Sequence, residues 1–444
     1  MAAVNGIGDS ARWRIPPFAS ADNRTPIVSS LVRSTYAVVL AGGRGTRLKQ
    51  LTDWRCKPAV PFGGKHRIID FALSNCVNSG VRRIGVATQY RSHSLIRHLQ
   101  RGWNFLDARL QEFLEVLPAQ RPLEAGWYGG TADAIYQNLD ILRIQAPRFV
   151  LVLAGDHVYK MDYGVMLAEH VERGAEVTVA CIDVPVTEAH AFGVMRVNDE
   201  DDVLEFAEKP PLPAALPDDP ERALVSMGIY LFSTESLYQY LRADAKDVGS
   251  SHDFGRDIVP RLIAEGTRVR AHRFHGSCVN MVHGRPYWRD VGTVDAYWSA
   301  NMDLTHIEPE LNMYDPEWPV RTLDEQMPPA KFIFEAPDPR GQAWDCIVSS
   351  GCIITGASIH RSLLFTGVEV ERGALIEDSV VLPEVTIGRG VRLRRAVVDK
   401  YCEVPAGLQA GFDRAADEAR FHVTSGGVVL ITPEMLGQKV HQEG

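Results

Sequence analysis

The C-terminal part of the chain carries the pattern that most restricts its fold. Apolar residues recur six positions apart at Ile353 and Ile359, at Val370 and Ile376, and at Val381, Ile387 and Leu393. Glycines stand between them at Gly356, Gly367, Gly373, Gly388 and Gly390. A six-residue period gives one apolar residue to each flat face of a parallel β-helix. A sandwich of short strands would alternate with period two, which the run 387–393 follows poorly. The pattern therefore predicts a β-helix, whose exposed ends and sides are a predicted oligomer contact.

Near the N-terminus, an apolar run at 36–40 leads into the loop Leu40-Ala41-Gly42-Gly43-Arg44-Gly45-Thr46-Arg47. The run predicts a buried parallel strand, and open α/β sheets bind ligands at the carboxyl ends of such strands. Glycines let backbone N–H groups approach an anion, and Arg44, Arg47 and Lys57 add positive charge for a polyphosphate. The loop matches neither the P-loop nor the dinucleotide fingerprint. A glycine turn with solvated arginines is the alternative that these residues leave open.

Strand-like and helix-like segments alternate after this loop. A strand is predicted at 84–88, a helix from Ser92, and a strongly apolar strand at 149–154. The alternation predicts a mostly parallel, doubly wound sheet covered by helices on both faces. Asp156 follows the apolar strand, where it can face the glycine loop and hold a cation between itself and phosphates. An ordinary turn aspartate is the alternative interpretation.

Two further stretches carry a family resemblance. The glycine loop and the segment Lys57-Pro58-Ala59-Val60-Pro61-Phe62-Gly63-Gly64-Lys65 resemble the start of sugar-nucleotide pyrophosphorylases, and the run 67–75, RIIDFALSN, narrows the resemblance to ADP-glucose pyrophosphorylases. The resemblance extends from residue 36 almost to the C-terminus. It implies a Rossmann-like nucleotidyltransferase sheet followed by a left-handed parallel β-helix. It also implies transfer of the adenylyl group of ATP to α-D-glucose 1-phosphate, with Mg²⁺ as cofactor, in the step that activates glucose for glycogen synthesis.

The resemblance assigns roles to individual residues of this chain. The implied catalytic residues are Arg47, Lys57 and Asp156, and the implied metal ligands are Asp156 and Asp290. The implied nucleotide-binding residues are Leu40, Ala41, Gly42, Gly43, Arg44, Gly45, Gln89, Tyr128, Gly130 and Thr131. The implied glucose-1-phosphate-binding residues are Glu208, Lys209, Ser226, Gly228 and Trp288. The implied regulatory residues are Arg55, Arg67, Arg394 and Arg395.

Regulation is expected at a site between the two domains, with a sugar phosphate or keto acid as activator and AMP, ADP or phosphate as inhibitor. Trp54 occupies a position where enteric relatives carry lysine, and Phe421-His422-Val423 stands where further arginines are expected. Because fewer cations remain, we expect this site to bind a bisphosphate less well than a monophosphate or a keto acid.

Three alternatives stay open at this point. A UDP-, dTDP- or GDP-sugar pyrophosphorylase would share most of these motifs, although Trp127 and Tyr128 favour adenine. A non-catalytic regulatory subunit would typically have lost Arg47, Lys57 or Asp156, and all three residues are present. A β-helix acyltransferase would need a catalytic histidine in a longer repeat array.

Composition sets the remaining bounds. The 444 residues carry a net charge of −9, which implies no general affinity for nucleic acid. Seven cysteines without a C-x-x-C pair, and no apolar run long enough to span a bilayer, predict a cytoplasmic protein that binds no membrane. We expect a mobile tail at 1–34, a catalytic domain at 35–306, a linker at 307–345, and a β-helix at 346–444 that serves oligomerisation and regulation in a homotetramer.

Overall fold

The computed structural model describes residues 26–43, 45–89, 91–119, 128–281, 284–333 and 342–439. Within these ranges an α/β domain precedes a β-helix. The helices are α1 (Pro26–Arg33), α2 (Ile69–Asn78), α3 (His93–Gly102), α4 (Thr131–Tyr136), α5 (Leu139–Gln145), α6 (Tyr163–Glu172), α7 (Val186–Ala189), α8 (Thr234–Asp244), α9 (Val259–Ala264), α10 (Val294–Asp303) and α11 (Arg414–Glu418). None of the helices in the described ranges has the length and apolar character needed to cross a bilayer.

The strands of the α/β domain form one large sheet and two short pairs. They are β1 (Thr35–Ala41), β2 (Pro61–Phe62), β3 (His66–Arg67), β4 (Arg83–Thr88), β5 (Phe113–Pro118), β6 (Phe149–Ala154), β7 (Val158–Tyr159), β8 (Val177–Pro185), β9 (Gly193–Val197), β10 (Val203–Glu208), β11 (Arg222–Ser233), β12 (Val269–Arg273) and β13 (Trp288–Arg289). The large sheet has the order β10-β9-β11-β6-β1-β4-β5, and β8 pairs with β11 and β12.

The centre of this sheet is parallel and buried on both faces. Strands β6, β1, β4 and β5 run parallel, so their carboxyl ends meet at one edge. Along β1, Ala37 and Val39 pack in the core that contains α2 and α6, while Tyr36 and Val38 pack in the core that contains α4 and α8. Strand β11 runs antiparallel to β6 and continues the sheet. The predicted doubly wound sheet with helices on both faces is confirmed.

Three sheets, parallel except for one antiparallel strand pair at the end of the third, build the second domain, the predicted left-handed β-helix. Their strands are β14 (Lys331–Ile333), β15 (Gln342–Trp344), β16 (Ile347–Val348), β17 (Ile353–Thr355), β18 (Ser358–His360), β19 (Leu363–Leu364), β20 (Glu369–Val370), β21 (Leu375–Glu377), β22 (Val380–Val381), β23 (Thr386–Ile387), β24 (Arg392–Arg394), β25 (Ala396–Val398), β26 (Glu403–Val404), β27 (Gln409–Ala410), β28 (His422–Val423) and β29 (Val429–Ile431). The sheets have the orders β14-β17-β20-β23-β26, β15-β18-β21-β24-β27 and β16-β19-β22-β25-β29-β28.

The six-residue pattern identifies the inward positions with one error. The side chains buried inside the coils include Ile359, Val370, Ile376, Val381, Ile387 and Leu393. Ile353 was predicted to point inward, but it is 39% exposed, and its neighbour Ile354 is buried. Ile354 is the residue that lies in register with Val370 in the ladder. Because adjacent residues of a strand face opposite sides, Ile353 must point outward.

Two predicted domain boundaries are wrong. Residues 26–33, assigned to a mobile tail, form α1, which packs on α6 through a face where Leu31 and Val32 are buried. Residues 1–25 lie outside the described ranges. The predicted linker contains β14 and β15, which pair with β17 and β18 as a first coil of the β-helix. The sequence of this coil lacks the six-residue spacing, so only its pairing with the following coil reveals it.

The two domains share a core and a buried ion pair. Phe62 and Tyr297 of the α/β domain pack in one cluster with Leu363 and Val380 of the β-helix. Arg55 forms a two-pronged ion pair with Asp399, with Nη1–Oδ1 at 2.8 Å and Nη2–Oδ2 at 3.0 Å. Both side chains are 4% exposed. The β-helix is therefore fastened directly to the segment that carries the glycine loop and Lys57.

Candidate active site

The carboxyl ends of β1 and β6 open onto a cavity of about 460 Å³. Its wall contains Leu40, Gly42, Gly43, Arg47, Pro58, Ala87, Gln89, Tyr128, Gly130, Thr131, Ala134, Ala154, Asp156, His157, Ala191, Phe192, Gly193, Glu208, Lys209, Ser226, Gly228, Tyr230, Asp253, Gly255 and Asp290. Most of the residues predicted to bind the nucleotide and the sugar phosphate thus face one space.

Two carboxylates and an ammonium group meet at the floor of this cavity. Asp156 follows β6, and Asp290 follows β13, which reaches the site because it pairs antiparallel with β7. Lys57 begins a single 3₁₀ turn, and its Nζ lies 3.0 Å from Asp156 Oδ2 and 2.5 Å from Asp290 Oδ1. Arg47 Nη2 lies 3.3 Å from the other oxygen of Asp290. The structure therefore brings together the predicted catalytic residues.

This charge cluster keeps its carboxylates ionised. Burial alone would raise the pKa of Asp156, but the Lys57 ammonium and the His157 ring outweigh burial and lower the pKa to about 2. The same two neighbours outweigh burial at Asp290 and lower its pKa. Burial alone would lower the pKa of Lys57, yet the two carboxylates raise it. At neutral pH the floor of the cavity therefore holds two negative charges and a compensating ammonium.

The carboxylates and His157 together fit a divalent cation. His157 Nε2 lies 3.6 Å from Asp156 Oδ1 and 3.9 Å from Asp290 Oδ1. One potential ligand atom from each of these residues lies within 4.8 Å of the others. Carboxylate oxygens suit Mg²⁺, and an added imidazole is tolerated by transition-metal ions. The sequence prediction missed His157, although its position directly after Asp156 was the available signal.

One wall of the cavity, which we call the nucleotide wall, contains the predicted nucleotide-binding residues Leu40, Gly42, Gly43, Gln89, Tyr128, Gly130 and Thr131. Gly42 lies close to Gln89, because a Cβ at this glycine would be 3.1 Å from Gln89 Oε1 and would require the glutamine side chain to shift. Ala41 and Gly45 do not line the cavity: Ala41 is buried at the end of β1, and Gly45 packs on Lys57 and Thr52 with a positive φ. Arg44 and Trp127 lie outside the described residues.

The opposite wall, which we call the sugar-phosphate wall, contains the predicted sugar-phosphate residues Glu208, Lys209, Ser226 and Gly228. Glu208 ends β10, and Lys209 Nζ donates to Glu208 Oε1 at 2.6 Å. Lys209 adopts a φ of +46°, a costly conformation for a residue other than glycine. Ser226 and Gly228 line the same wall from β11. Trp288 does not reach the wall: pairing of β13 with β7 turns its ring onto His157 and Phe192, at centroid distances of 5.1 and 5.2 Å.

Comparison with known proteins agrees with this geometry. The profile of the family described as "Nucleotidyl transferase" matches residues 36–307, and that of "GlmU-like, C-terminal hexapeptide" matches residues 328–431. A glucose-1-phosphate adenylyltransferase from Nitrosomonas europaea is 61% identical over 429 residues, which cover 96% of this chain and 99% of the relative. The chain belongs to the glucose-1-phosphate adenylyltransferase family. Relatives of the same name from Nitrosospira multiformis and Dechloromonas aromatica are 61% and 60% identical, over 93% of this chain and 97% and 93% of their own lengths.

Glucose-1-phosphate adenylyltransferases are nucleotidyltransferases, a class that generally uses a divalent metal ion. In this adenylyltransferase, the trio of Asp156, His157 and Asp290 is the group of potential ligands found among the described residues. Asp156, His157 and Asp290 all line the cavity, together with the residues of its two walls.

Sequence reasoning missed several wall residues of this adenylyltransferase. Asp253 precedes a π-helical turn, and its Oδ1 accepts hydrogen bonds from the amides of Gly255 and Arg256. Asp253 Oδ2 accepts a further bond from Thr131 Oγ1 at 3.0 Å. Tyr230 and Gly193 also line the cavity. The loop before Asp253 follows a helix and not a parallel strand, so the rule that ligands bind at carboxyl ends of strands gave no signal there.

A second cavity, of about 160 Å³, lies between the two domains of the adenylyltransferase. Its wall includes Arg55, Lys65, Arg67, Arg97, Arg101 and Lys400, together with Asp324, Glu325 and Glu384. The predicted regulatory residues Arg55 and Arg67 are in this wall, but Arg394 and Arg395 are not. Arg394 pairs with Glu377 at 3.0 Å, and the Arg395 guanidinium lies over the Trp298 ring at 4.4 Å. Each side chain therefore contacts a neighbouring residue and not the cavity.

Proposed function

We propose that this chain transfers the adenylyl group of ATP to α-D-glucose 1-phosphate and releases ADP-glucose and pyrophosphate. The observation that carries the proposal is the single cavity in which the glycine loop faces Glu208 and Lys209 across Asp156 and Asp290. The printed name of relatives that share 60–61% identity with nearly the whole chain supports the same reaction.

The reaction needs no protein nucleophile. A phosphate oxygen of glucose 1-phosphate attacks the α-phosphorus of ATP, a new P–O bond forms, and the bond to the β-phosphate oxygen breaks. Pyrophosphate leaves with the bonding electrons. Arg47 and the amides of the glycine loop hold the triphosphate, and Lys57 neutralises charge that develops in the transition state. Lys209 holds the phosphate of the sugar, and Glu208 accepts hydrogen bonds from sugar hydroxyls. Catalysis then rests on positioning and charge neutralisation.

We propose Mg²⁺ as the metal, held by Asp156 and Asp290 with His157 beside them. When bound, Mg²⁺ neutralises phosphate charge and aligns the reacting groups. Lys57 Nζ contacts both carboxylates, so it would share their negative charge with a bound ion. The preference of Mg²⁺ for carboxylate oxygens, phosphate oxygens and water supports this assignment.

The wider biological role is also a proposal. ADP-glucose is the activated glucose donor of glycogen synthesis, and we propose this pathway for the chain. The positive cavity between the domains supports regulation by an anionic activator and by AMP, ADP or phosphate. The exposed sides of the β-helix support assembly into a homotetramer. Seven free thiols support residence in a reducing cytoplasm.

A nucleotide panel tests the proposed reaction. Pyrophosphate release would be measured with glucose 1-phosphate and ATP, UTP, dTTP or GTP, each with and without Mg²⁺. The proposal expects release with ATP and Mg²⁺, with the other nucleotides far less effective. Preference for UTP, dTTP or GTP would assign a different sugar-nucleotide product. Release with none of them from a folded, activator-supplied protein would indicate a non-catalytic subunit.

A further inference from the structure

Residues 250–253, which we call the strap, run from the end of α8 to the cavity and contact both of its walls. His252 is the turning point of the strap, with a φ of +55°. His252 itself does not line the cavity, whereas Asp253 does. Any effect of His252 on the reaction must therefore pass through its neighbours.

The strap holds the nucleotide wall through the start of α4. The carbonyl oxygen of His252 accepts hydrogen bonds from the amides of Ala132 at 2.8 Å and Asp133 at 3.4 Å. These are amides of the first helical turn, which have no partner inside a helix. A side chain on Gly130 would collide with the same carbonyl, so the close approach requires glycine there. The position of the 128–131 turn thus depends on where the His252 carbonyl lies.

The strap holds the sugar-phosphate wall through Asp253 and the turn that follows. Asp253 accepts from the amide of Gly255 at 2.9 Å and from Thr131 Oγ1 at 3.0 Å. Gly255 lies against Glu208, since a Cβ at this glycine would be 2.6 Å from Glu208 Oε2. The residue after His252 therefore joins Thr131, on the nucleotide wall, to the carboxylate proposed to contact the sugar.

A buried carboxylate at the end of α8 fixes the conformation of His252. Asp244 Oδ2 lies 2.7 Å from His252 Nδ1, and Asp244 Oδ1 accepts from Ser250 Oγ at 2.6 Å. Ser250 Oγ in turn accepts from the His252 amide at 2.9 Å. The side chain of Asp244 is 5% exposed, so these bonds lie away from competing water. Together they hold a backbone conformation that histidine adopts at some cost.

We propose that His252, anchored by Asp244, is a positioning residue that keeps the nucleotide wall and the sugar-phosphate wall in register for the transfer reaction. The inference rests on the proposed function, because it takes ATP and glucose 1-phosphate as the two ligands. It predicts that loosening the strap weakens the binding of both substrates and lowers turnover, although His252 does not line the cavity.

Three substitutions separate the two features of His252, which are its hydrogen bond to Asp244 and its positive φ. His252→Ala loses the bond to Asp244 and is strained at positive φ. His252→Gly loses the bond but tolerates the φ. His252→Asn tolerates the φ and retains an amide that can donate to Asp244. Asp345→Ala is the matched control, because Asp345 has a φ of +53° in the β-helix and does not line the cavity.

The measurements are kcat, KM for both substrates, calorimetric ATP binding without sugar phosphate, and the melting temperature. For His252→Ala we expect kcat/KM to fall about 10- to 100-fold, with KM raised for both substrates, as for other small misplacements of reacting groups. His252→Gly should lose nearly as much, His252→Asn should recover most of the loss, and Asp345→Ala should keep both KM values.

The inference is overturned if His252→Gly folds and keeps both KM values within twofold of the wild type. It is equally overturned if activity falls only in proportion to the folded fraction, or if His252→Asn folds without recovering KM. If His252→Ala does not fold, the comparison of His252→Gly with His252→Asn decides. A wild type that forms no ADP-glucose would overturn the proposed function instead, which keeps the two failures apart.

Discussion

The two cavities of this molecule draw their cations from the same short segment but use them differently. Arg47 lines the cavity at the sheet edge, and Lys57 is buried in contact with two carboxylates of its wall, whereas Arg55 and Arg67 line the cavity between the domains. At the sheet edge, Lys57 directly contacts two carboxylates. Between the domains, Arg67 donates to the neutral oxygens of Ser94, and apart from Arg55, which pairs with Asp399, five lysine and arginine side chains line the wall with three carboxylates.

The difference in charge balance between the two cavities suits two different functions. A cation already balanced by carboxylates can change partners when substrates arrive, which suits a reaction in which charge moves. A wall with excess positive charge attracts anions before any contact forms, which suits an effector site. The two sites are linked by chain geometry, since Arg55, held by Asp399, stands two residues before Lys57. Separate variants test the link, the proposed reaction site and the proposed effector site.

The largest effect is expected from breaking the link between the two sites, which is the ion pair of Arg55 with Asp399. Removing one partner of a buried ion pair costs about 3–5 kcal/mol, because the other charge stays buried without compensation. Asp399→Ala should therefore lower the free energy of unfolding by this amount, seen as a lower urea midpoint. Glu418→Ala, which breaks the exposed pair with Arg414, is the control and should cost only about 0.2–1 kcal/mol. Equal midpoints for the two variants would contradict the structural role of the link.

The reaction site is tested by Asp156→Asn, which keeps the shape and removes the charge. Losing one preorganised electrostatic group costs about 10²–10³ in kcat, or roughly 2.7–4 kcal/mol, and a metal ligand should cost at least as much. Initial rates would be compared with those of Asp140→Asn, a control at a largely exposed aspartate that pairs with Arg143. Near-wild-type turnover in folded Asp156→Asn would remove Asp156 from the mechanism.

The division between the two walls is tested by Lys209→Ala. A charge-assisted hydrogen bond contributes about 1.5–3 kcal/mol, so KM for glucose 1-phosphate should rise roughly 10- to 100-fold. KM for ATP should change little, because Lys209 is proposed to hold only the sugar phosphate. Lys246→Ala, at an exposed position on the surface, serves as the control. Similar increases for both substrates would mean that Lys209 does not distinguish the walls.

The proposed effector site is tested by activator titrations. We expect fructose 6-phosphate or pyruvate to activate more strongly than fructose 1,6-bisphosphate, with a coupling of about 1–3 kcal/mol. Arg67→Gln should weaken this activation, whereas Arg394→Ala should leave it unchanged, because Arg394 lies outside the cavity wall. A bisphosphate that is the most potent activator would refute the expected preference. Loss of activation in Arg394→Ala would refute the location of the site.

Much of the fold followed from local sequence signals. The apolar run 149–154 became β6 with the same limits, and Thr293 caps α10 by accepting from the Ala296 amide, as a threonine before a helix predicts. The first coil of the β-helix could not be predicted, because Lys331–Ile333 has no spacing of its own and gains its structure from pairing with β17. Helix α1 was missed for a similar reason, because its apolar face becomes buried only by packing on α6.

The site was predicted where residues follow parallel strands and missed where tertiary contacts decide. Asp156 and the glycine loop lie at carboxyl ends of β6 and β1, so topology alone brings them together. Asp253 lies after a helix, so the sheet topology gave no signal for it. His157 had a signal, its position directly after Asp156, but the prediction did not use it. Trp288 was misplaced because its orientation depends on the pairing of β13 with β7, which no local pattern reveals. Arg394 was assigned to the regulatory site by resemblance, but the register of β24 on β21 places it beside Glu377, with which it forms an ion pair.

The most direct test of the proposed reaction follows the phosphorus atoms of ATP. The protein would be incubated with glucose 1-phosphate, Mg²⁺ and ATP labelled with ³²P at either the α or the γ position, and the products would be separated. The account predicts that the α label appears in ADP-glucose and the γ label in pyrophosphate, in equal amounts. An α label that never enters a sugar nucleotide, or a γ label found on the sugar, would contradict adenylyl transfer in this cavity.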